Sequence, residues 1–152
     1  MQIRVCSIDK KSKNRLYEPL IEHYIKSSKQ FAQIELIDIF NNQISKAQEI
    51  SEINAKEEYS KAFEKYMNGY CVALDPNSNE VDSYEFSKIF ENNTKITFFI
   101  AGAYGFEKKF LKKCNLSVSF GRITMSHKLV KLVLLEQIFR GLTIINNHPY
   151  HK

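Results

Sequence analysis

Residues 146–152 read NNHPYHK, so two imidazoles and a phenol stand at His148, Tyr150 and His151. Such groups titrate, stack and donate hydrogen bonds. Two histidines fall short of a zinc ligand set, and no cysteine or acid beside them in sequence completes one, so no metal is expected. Pro149 restricts the backbone here, and the amphipathic ring of Tyr150 is a poor group to leave loose in water. A frayed, incidental tail is the alternative.

Three further stretches could carry chemistry. FFIAGAYGFE (98–107) runs from an apolar segment into a turn with Gly102 and Gly105, then into a basic helix. A glycine there serves either a tight turn or the close approach of a ligand to backbone N–H groups. A dinucleotide fingerprint needs a third glycine and a downstream acid for the ribose, and both are missing. The P-loop lysine pattern is absent too. SFGRITMSHKLV (119–130) holds a second glycine loop followed by His127 in the first turn of a helix, either a ligand contact or a histidine without a task. ALDP (73–76) ends a third apolar segment. Three loops at strand carboxyl ends are where open α/β sheets bind small molecules.

The elements that would position these loops follow from periodicity. Strands are expected at 2–8, 33–40, 70–75, 95–102 and 116–120, all rich in β-branched and aromatic residues. Helices are expected at 16–28, at 44–67 (one helix or a pair, with Gly69 well placed to end it), at 81–93, at 106–114 and at 126–142. PNSNE (76–80) reads as a turn. Asp82 or Ser83 and Ser126 are expected N-caps, and Gly141 lies near the expected end of the last helix. Near-continuous apolar strands alternating with helices give an α/β class with a mostly parallel sheet flanked by helices, in a single domain over 1–152. The helix at 126–142 is apolar almost all round, which predicts burial on nearly every side, by a second subunit or by a monomer core. Glu136 and Arg140, at i and i+4, are spaced to pair.

Hydrophobic residues make up 43% of the chain, ordinary for a packed protein. Neither a membrane-spanning run nor a signal-peptide pattern is seen. Cys6, Cys71 and Cys114 are odd in number and far apart, which suits a reducing cytoplasm and buried thiols. Residues 106–152 carry nine Lys/Arg against only Glu107 and Glu136, although the whole chain is only +5. Such asymmetry predicts a face that meets an anion, most often nucleic acid.

QIRVCSI, VALD, FFIAGAYGFE, LSVSFGRITMSHKLVKLVLLEQIFRG and the terminal NNHPYHK together resemble the SPOUT-class methyltransferases. Within that class the likeness is to the small bacterial enzymes that methylate N3 of a pseudouridine in 23S rRNA. It runs from end to end. One departure is Ala101, where the family usually has glycine.

The resemblance implies a C-terminal segment threaded into a deep trefoil knot and a homodimer with the apolar C-terminal helix between subunits. It also implies S-adenosyl-L-methionine held by Leu74, by Ala101 and Gly102, and by Phe120, Gly121, Arg122, Ile123, Thr124 and Met125. Tyr150 and His151 would grip or deprotonate the target base, His127 would line the cofactor pocket, and Arg140 would orient the tail or a substrate phosphate. Lys108, Lys109, Lys112, Lys113, Arg122, Lys128 and Lys131 would supply part of the RNA footprint. The implied substrate is 23S rRNA within the assembled ribosome, and the implied location cytoplasmic, with no membrane and no metal. The alternatives are a non-catalytic RNA- or ribosome-binding protein of the same fold, and a small metalloprotein using His148 and His151.

Overall fold

The structure is a computed structural model that describes residues 1–11 and 15–152. Five strands, β1 (Gln2–Ile8), β2 (Gln33–Ile39), β3 (Tyr70–Glu80), β4 (Lys95–Ile100) and β5 (Leu116–Ser119), form one sheet in the order β2-β1-β4-β3-β5. Every neighbouring pair is parallel. The expected α/β architecture is therefore present. The helices are α1 (Glu18–Ser28), α2 (Asn42–Ile50), α3 (Glu52–Glu64), α4 (Ser83–Ser87), α5 (Lys108–Lys113) and α6 (His127–Ile145).

Alternation along the strands divides the core in two. Ile3, Val5, Val72, Ile96 and Phe98 face α4 and α6, with α1 packed alongside. Cys6, Cys71, Ala73 and Phe99 face α2, α3 and α5 through Ile44, Tyr59, Phe63 and Phe110. No helix among the described residues is long and apolar enough to cross a membrane.

Several local expectations change. The 44–67 segment is a helix pair. Ser51 ends α2, and its hydroxyl accepts the Asn54 N–H that starts α3, at 3.1 Å. The segment at 81–93 keeps only the short α4, opened by an Asp82–Glu85 capping box, and then tightens into a 3₁₀ turn over Lys88–Phe90. Residues 76–80 are not a simple turn. Val118 of β5 pairs with both Leu74 and Asn79, so 75–78 bulge out of the ladder before the strand resumes. Gly141 does not end α6, which continues to Ile145. A Cβ there would stand 2.6 Å from the Phe90 ring, so this glycine serves the close crossing of two elements.

α6 is not buried all round in the single chain. Leu134, Leu135, Ile138 and Leu142 are covered, whereas Leu132 and Val133 are partly open and Leu129 is exposed. Lys131, expected on an RNA-facing surface, is only 4% exposed. It sits on the sheet side of the helix, where its ammonium meets Asp9 and Asp38 at the carboxyl ends of β1 and β2.

Candidate functional site

At the carboxyl ends of β3, β4 and β5 a cleft of ≈ 160 Å³ opens. Leu74 lines it from the end of β3, Ala101 and Gly102 from the turn after β4, and Phe120, Gly121, Ile123, Thr124 and Met125 from the loop before α6. His127 borders it from the first turn of α6. The three loops singled out from the sequence thus line one cleft. Arg122 is the exception among the nine expected contacts. Its side chain is 92% exposed and turns to Glu80 at 3.8 Å.

Each loop is held by a specific contact. Gly102 is required by packing. A Cβ there would lie 2.5 Å from Cζ of Tyr59 and 2.6 Å from its hydroxyl. Tyr59 is itself fixed, its hydroxyl accepting from Nε2 of Gln48 at 2.6 Å. The methyl of Ala101, at the unusual position, packs within the core cluster of Phe99 and Phe106. The Ser119 hydroxyl donates to the Gly121 carbonyl at 2.9 Å and accepts its N–H at 3.1 Å, and it also reaches the Pro76 carbonyl at 3.3 Å. That one hydroxyl ties the β5 loop to the β3 bulge.

The start of α6 is anchored by charge. Lys131 pairs with Asp38 and, at 3.4 Å, with Asp9, while Lys128 reaches Asp9 at 2.9 Å. Ser7 donates to Asp38 at 2.6 Å. Two cations and two anions form a nearly closed set, which is how buried charge is tolerated. The cluster holds the helix end that carries His127 and the Ser126 cap against the sheet.

The cavity wall is mostly aliphatic and aromatic. Asp75 is the one carboxylate among the described lining residues, and no lysine or arginine joins it. Such a site suits an uncharged aromatic ring and a cationic group, and it offers no cationic side chain to a phosphate. Asp75 and Pro76 escaped sequence reasoning, although ALDP pointed at their loop. The bulge that carries them inward has no sequence signal of its own.

The tail forms a second cluster. Tyr150 lies on Phe139, centroids 4.6 Å apart, with the Arg140 guanidinium 4.8 Å from its ring centre. Its hydroxyl donates to Glu136 at 3.0 Å. Arg140 pairs with Glu136, as expected from their spacing, and its NH1 stands 3.2 Å from Nδ1 of His151. Because a guanidinium only donates, Nδ1 is the acceptor in this contact, and the ring proton sits on Nε2. His151 also meets Tyr84 edge-on at 4.8 Å. Glu136 is thus the hub of the tail, a role not foreseen for it. Desolvation of the phenol first, and then the Glu136 carboxylate it faces, push Tyr150 up to about 12. At neutral pH the phenol therefore keeps its proton. His148 goes elsewhere, its ring edge-on to Phe31 at 6.0 Å. Among the described residues no three His, Cys, Asp or Glu assemble as a metal set.

The two clusters do not meet within one chain. None of Arg140, Tyr150 and His151 lines the cavity. Arg140 lies 13 residues beyond His127 on α6, about 20 Å along a helix rising 1.5 Å per residue.

A family model described as "Predicted SPOUT methyltransferase" matches residues 1–151. Curated relatives named ribosomal RNA large subunit methyltransferase H include one from a Sulfurovum species, 61% identical over the whole of both chains. Another, from a Nitratiruptor species, is 45% identical over 99% of each. Among solved structures, a Bacillus anthracis protein superposes with TM-score 0.54 at 10% identity, covering 100% of this chain and 98% of its own. A probable methylase family protein from Haemophilus influenzae gives TM-score 0.54 at 14% identity, covering 99% of this chain and 70% of its own. At such identities the two superpositions speak to the fold.

Proposed function

We propose, because the chain belongs to the SPOUT methyltransferase family, that it transfers a methyl group from S-adenosyl-L-methionine to N3 of a pseudouridine in 23S rRNA, on the assembled ribosome, as a homodimer. The observation that carries the reading is the cleft at the ends of β3, β4 and β5, built by the three loops that the sequence singles out. Its apolar wall and single carboxylate suit a donor with an adenine ring and a cationic sulfonium. Leu74, Ala101, Gly102 and the 120–125 loop would hold it, the backbone rather than the side chain serving at Arg122. When bound, the donor supplies an electrophilic methyl that needs no further activation. The trefoil threading of the C-terminal segment belongs to the same proposal.

The acceptor needs more help. N3 of a pseudouridine lies between two carbonyls and becomes nucleophilic once its proton has passed to solvent water. The anion so formed spreads onto both carbonyl oxygens. His151 donates from Nε2 to one of them, and Arg140 behind the imidazole adds a positive charge. Donors and charge fixed in advance of the reaction stabilise such an anion better than mobile water does. Tyr150, protonated and held by Glu136, fixes the tail and offers its ring edge to the base. Holding N3 in line with the methyl then supplies the orientational part of the rate.

The separation of about 20 Å along α6 between His127 and Arg140 supports the homodimer. A two-fold axis perpendicular to two paired copies of α6 would run the helices antiparallel, which brings the start of one beside the end of the other. The exposed Leu129 and the partly open Leu132 and Val133 supply apolar surface for that pairing. The test incubates the protein and labelled donor with ribosomes from a strain lacking this modification. Label in 23S rRNA is expected; none, with a known family member active in parallel, refutes the reading. Subunits lacking residues 150–152, co-expressed with Met125→Trp subunits, should restore transfer that neither variant shows alone.

A further inference from the structure

We infer that Tyr104, with Lys108 and Lys112 beside it, is a docking edge for single-stranded RNA next to the donor cleft, the tyrosine ring stacking on one nucleobase and the lysines meeting the phosphates that flank it. The inference rests on the reading just given and names a substrate contact that this reading leaves open.

Tyr104 is 41% exposed. Its neighbours Ala103 and Gly105 line the cleft, but its own side chain does not. The ring therefore lies next to the cleft without forming part of its wall. The turn that carries it is stiff. Gly105 N–H donates to the Gly102 carbonyl at 3.0 Å, and Gly102 is packed against the buried Tyr59, which is itself bonded to Gln48. An aromatic ring presented on a rigid turn loses little entropy when something stacks on it.

Charge selects the partner. α5 begins four residues later and bears four lysines. Lys109 is neutralised by Glu107 and Lys113 by Glu64. Lys108 and Lys112 are exposed and have no ion pair among the described residues. At i and i+4 they share one face of the helix. An exposed ring followed four and eight residues on by two exposed cations without ion pairs fits a base and its adjacent phosphates, the combination by which single strands are held. A peptide partner would want apolar neighbours, but here the flanking positions are alanine, glycine and lysine.

The test compares Tyr104→Ala, Tyr104→Phe and the double change Lys108→Gln with Lys112→Gln, using ribosomes from the unmodified strain as substrate. Tyr104→Ala should lower kcat/KM about ten-fold or more, within what one base–aromatic stack supplies. Tyr104→Phe should stay near wild type, and calorimetric donor affinity should be unchanged in both. The lysine change should raise KM for ribosomes and flatten its logarithmic salt dependence by about 1.4, roughly 0.7 for each single-strand phosphate no longer neutralised. Unchanged kcat/KM in Tyr104→Ala overturns the inference, and so does a parallel loss of donor affinity, which would put the ring on the donor. If the wild type itself transfers no methyl, the proposed function falls. The inference is then judged by filter binding to 23S rRNA, where Tyr104→Ala must bind more weakly than wild type or the inference falls too.

Discussion

Gly102→Ala adds one methyl, and the structure says where it goes. Its Cβ would lie 2.5 Å from Cζ and 2.6 Å from the hydroxyl of Tyr59. Carbon contacts are comfortable at about 3.5–4.0 Å, so the ring must retreat by about 1 Å. It has no room to do so. Tyr59 is 1% exposed, packed in the same cluster as Phe63 and Phe99, and interiors at crystal-like density do not yield freely. Overpacking of this kind costs about 1–3 kcal/mol. The displaced hydroxyl would also forfeit its bond from Gln48, worth about 1 kcal/mol. The sum is about 2–4 kcal/mol, or a urea midpoint lower by about 1–2 M at a slope near 2 kcal/mol/M.

Equilibrium unfolding in urea measures this, with donor affinity followed by calorimetry on the same samples. Both should fall, because the turn that Tyr59 pushes on also lines the cleft. Tyr59→Phe removes the crowded hydroxyl oxygen and the Gln48 bond together. Adding Gly102→Ala to that background should therefore cost about 1 kcal/mol less than adding it to wild type. A Gly102→Ala protein with an unchanged midpoint refutes the packing argument. The glycine would then be reserved for the approach of the ligand alone.

Deleting residues 150–152 should abolish methyl transfer while calorimetric donor binding persists; transfer at the full rate would remove the tail from the mechanism. Lys131→Met strips Asp38 and part of Asp9 of their cation and should destabilise by about 2–4 kcal/mol, somewhat less than for a fully buried pair because Asp38 is part-exposed. Adding Asp38→Leu should recover much of that loss in urea unfolding, and failure to recover any would mean that charge is not the cause. Burial raises Cys6 and Cys114 from 9.0 to about 12, and Tyr150 rises from 10.0 to about 12. Each holds its proton longer when folded, so this stability is complete below pH 9 and is lost as pH climbs from about 9 to about 12. Equal urea midpoints at pH 8 and pH 11 would contradict it. Native Cys6, buried and protonated, should react with a thiol reagent at pH 8 only as fast as the protein unfolds.

What the sequence reveals and what it hides follow from range. β1, β2 and β4 are legible because apolar alternation is local, and Ser126 and Asp82 are legible because a cap acts over three residues. The cleft loops are legible because they follow strand carboxyl ends. The β3 bulge is not, since it exists only through Val118 of β5 pairing twice. The burial of Lys131 is likewise invisible. A lysine reads as surface, even between Val130 and Leu132, until Asp9 and Asp38, both more than ninety positions away, are seen beneath it. Gly102 reads as room for a ligand, and it is also room for Tyr59, a residue 43 positions earlier.

α6 bears on the mechanism in three ways, each set by position along one rod. Its first turn borders the cleft through His127. Its second is bolted to the sheet by Lys131. Its third and fourth turns carry Glu136 and Arg140, to which the tail is tied. A helix anchored so firmly cannot bend its far end back to its near end, so the tail cannot reach its own cleft without unpicking the Glu136 hub. Breaking that hub would leave a carboxylate and a guanidinium part-buried and unpaired, which is strongly unfavourable. The tail is therefore better matched to a cleft brought to it than to one it must reach. In the proposed homodimer an antiparallel partner would supply such a cleft, and the rigidity that separates the two clusters within one subunit would then align them across the pair.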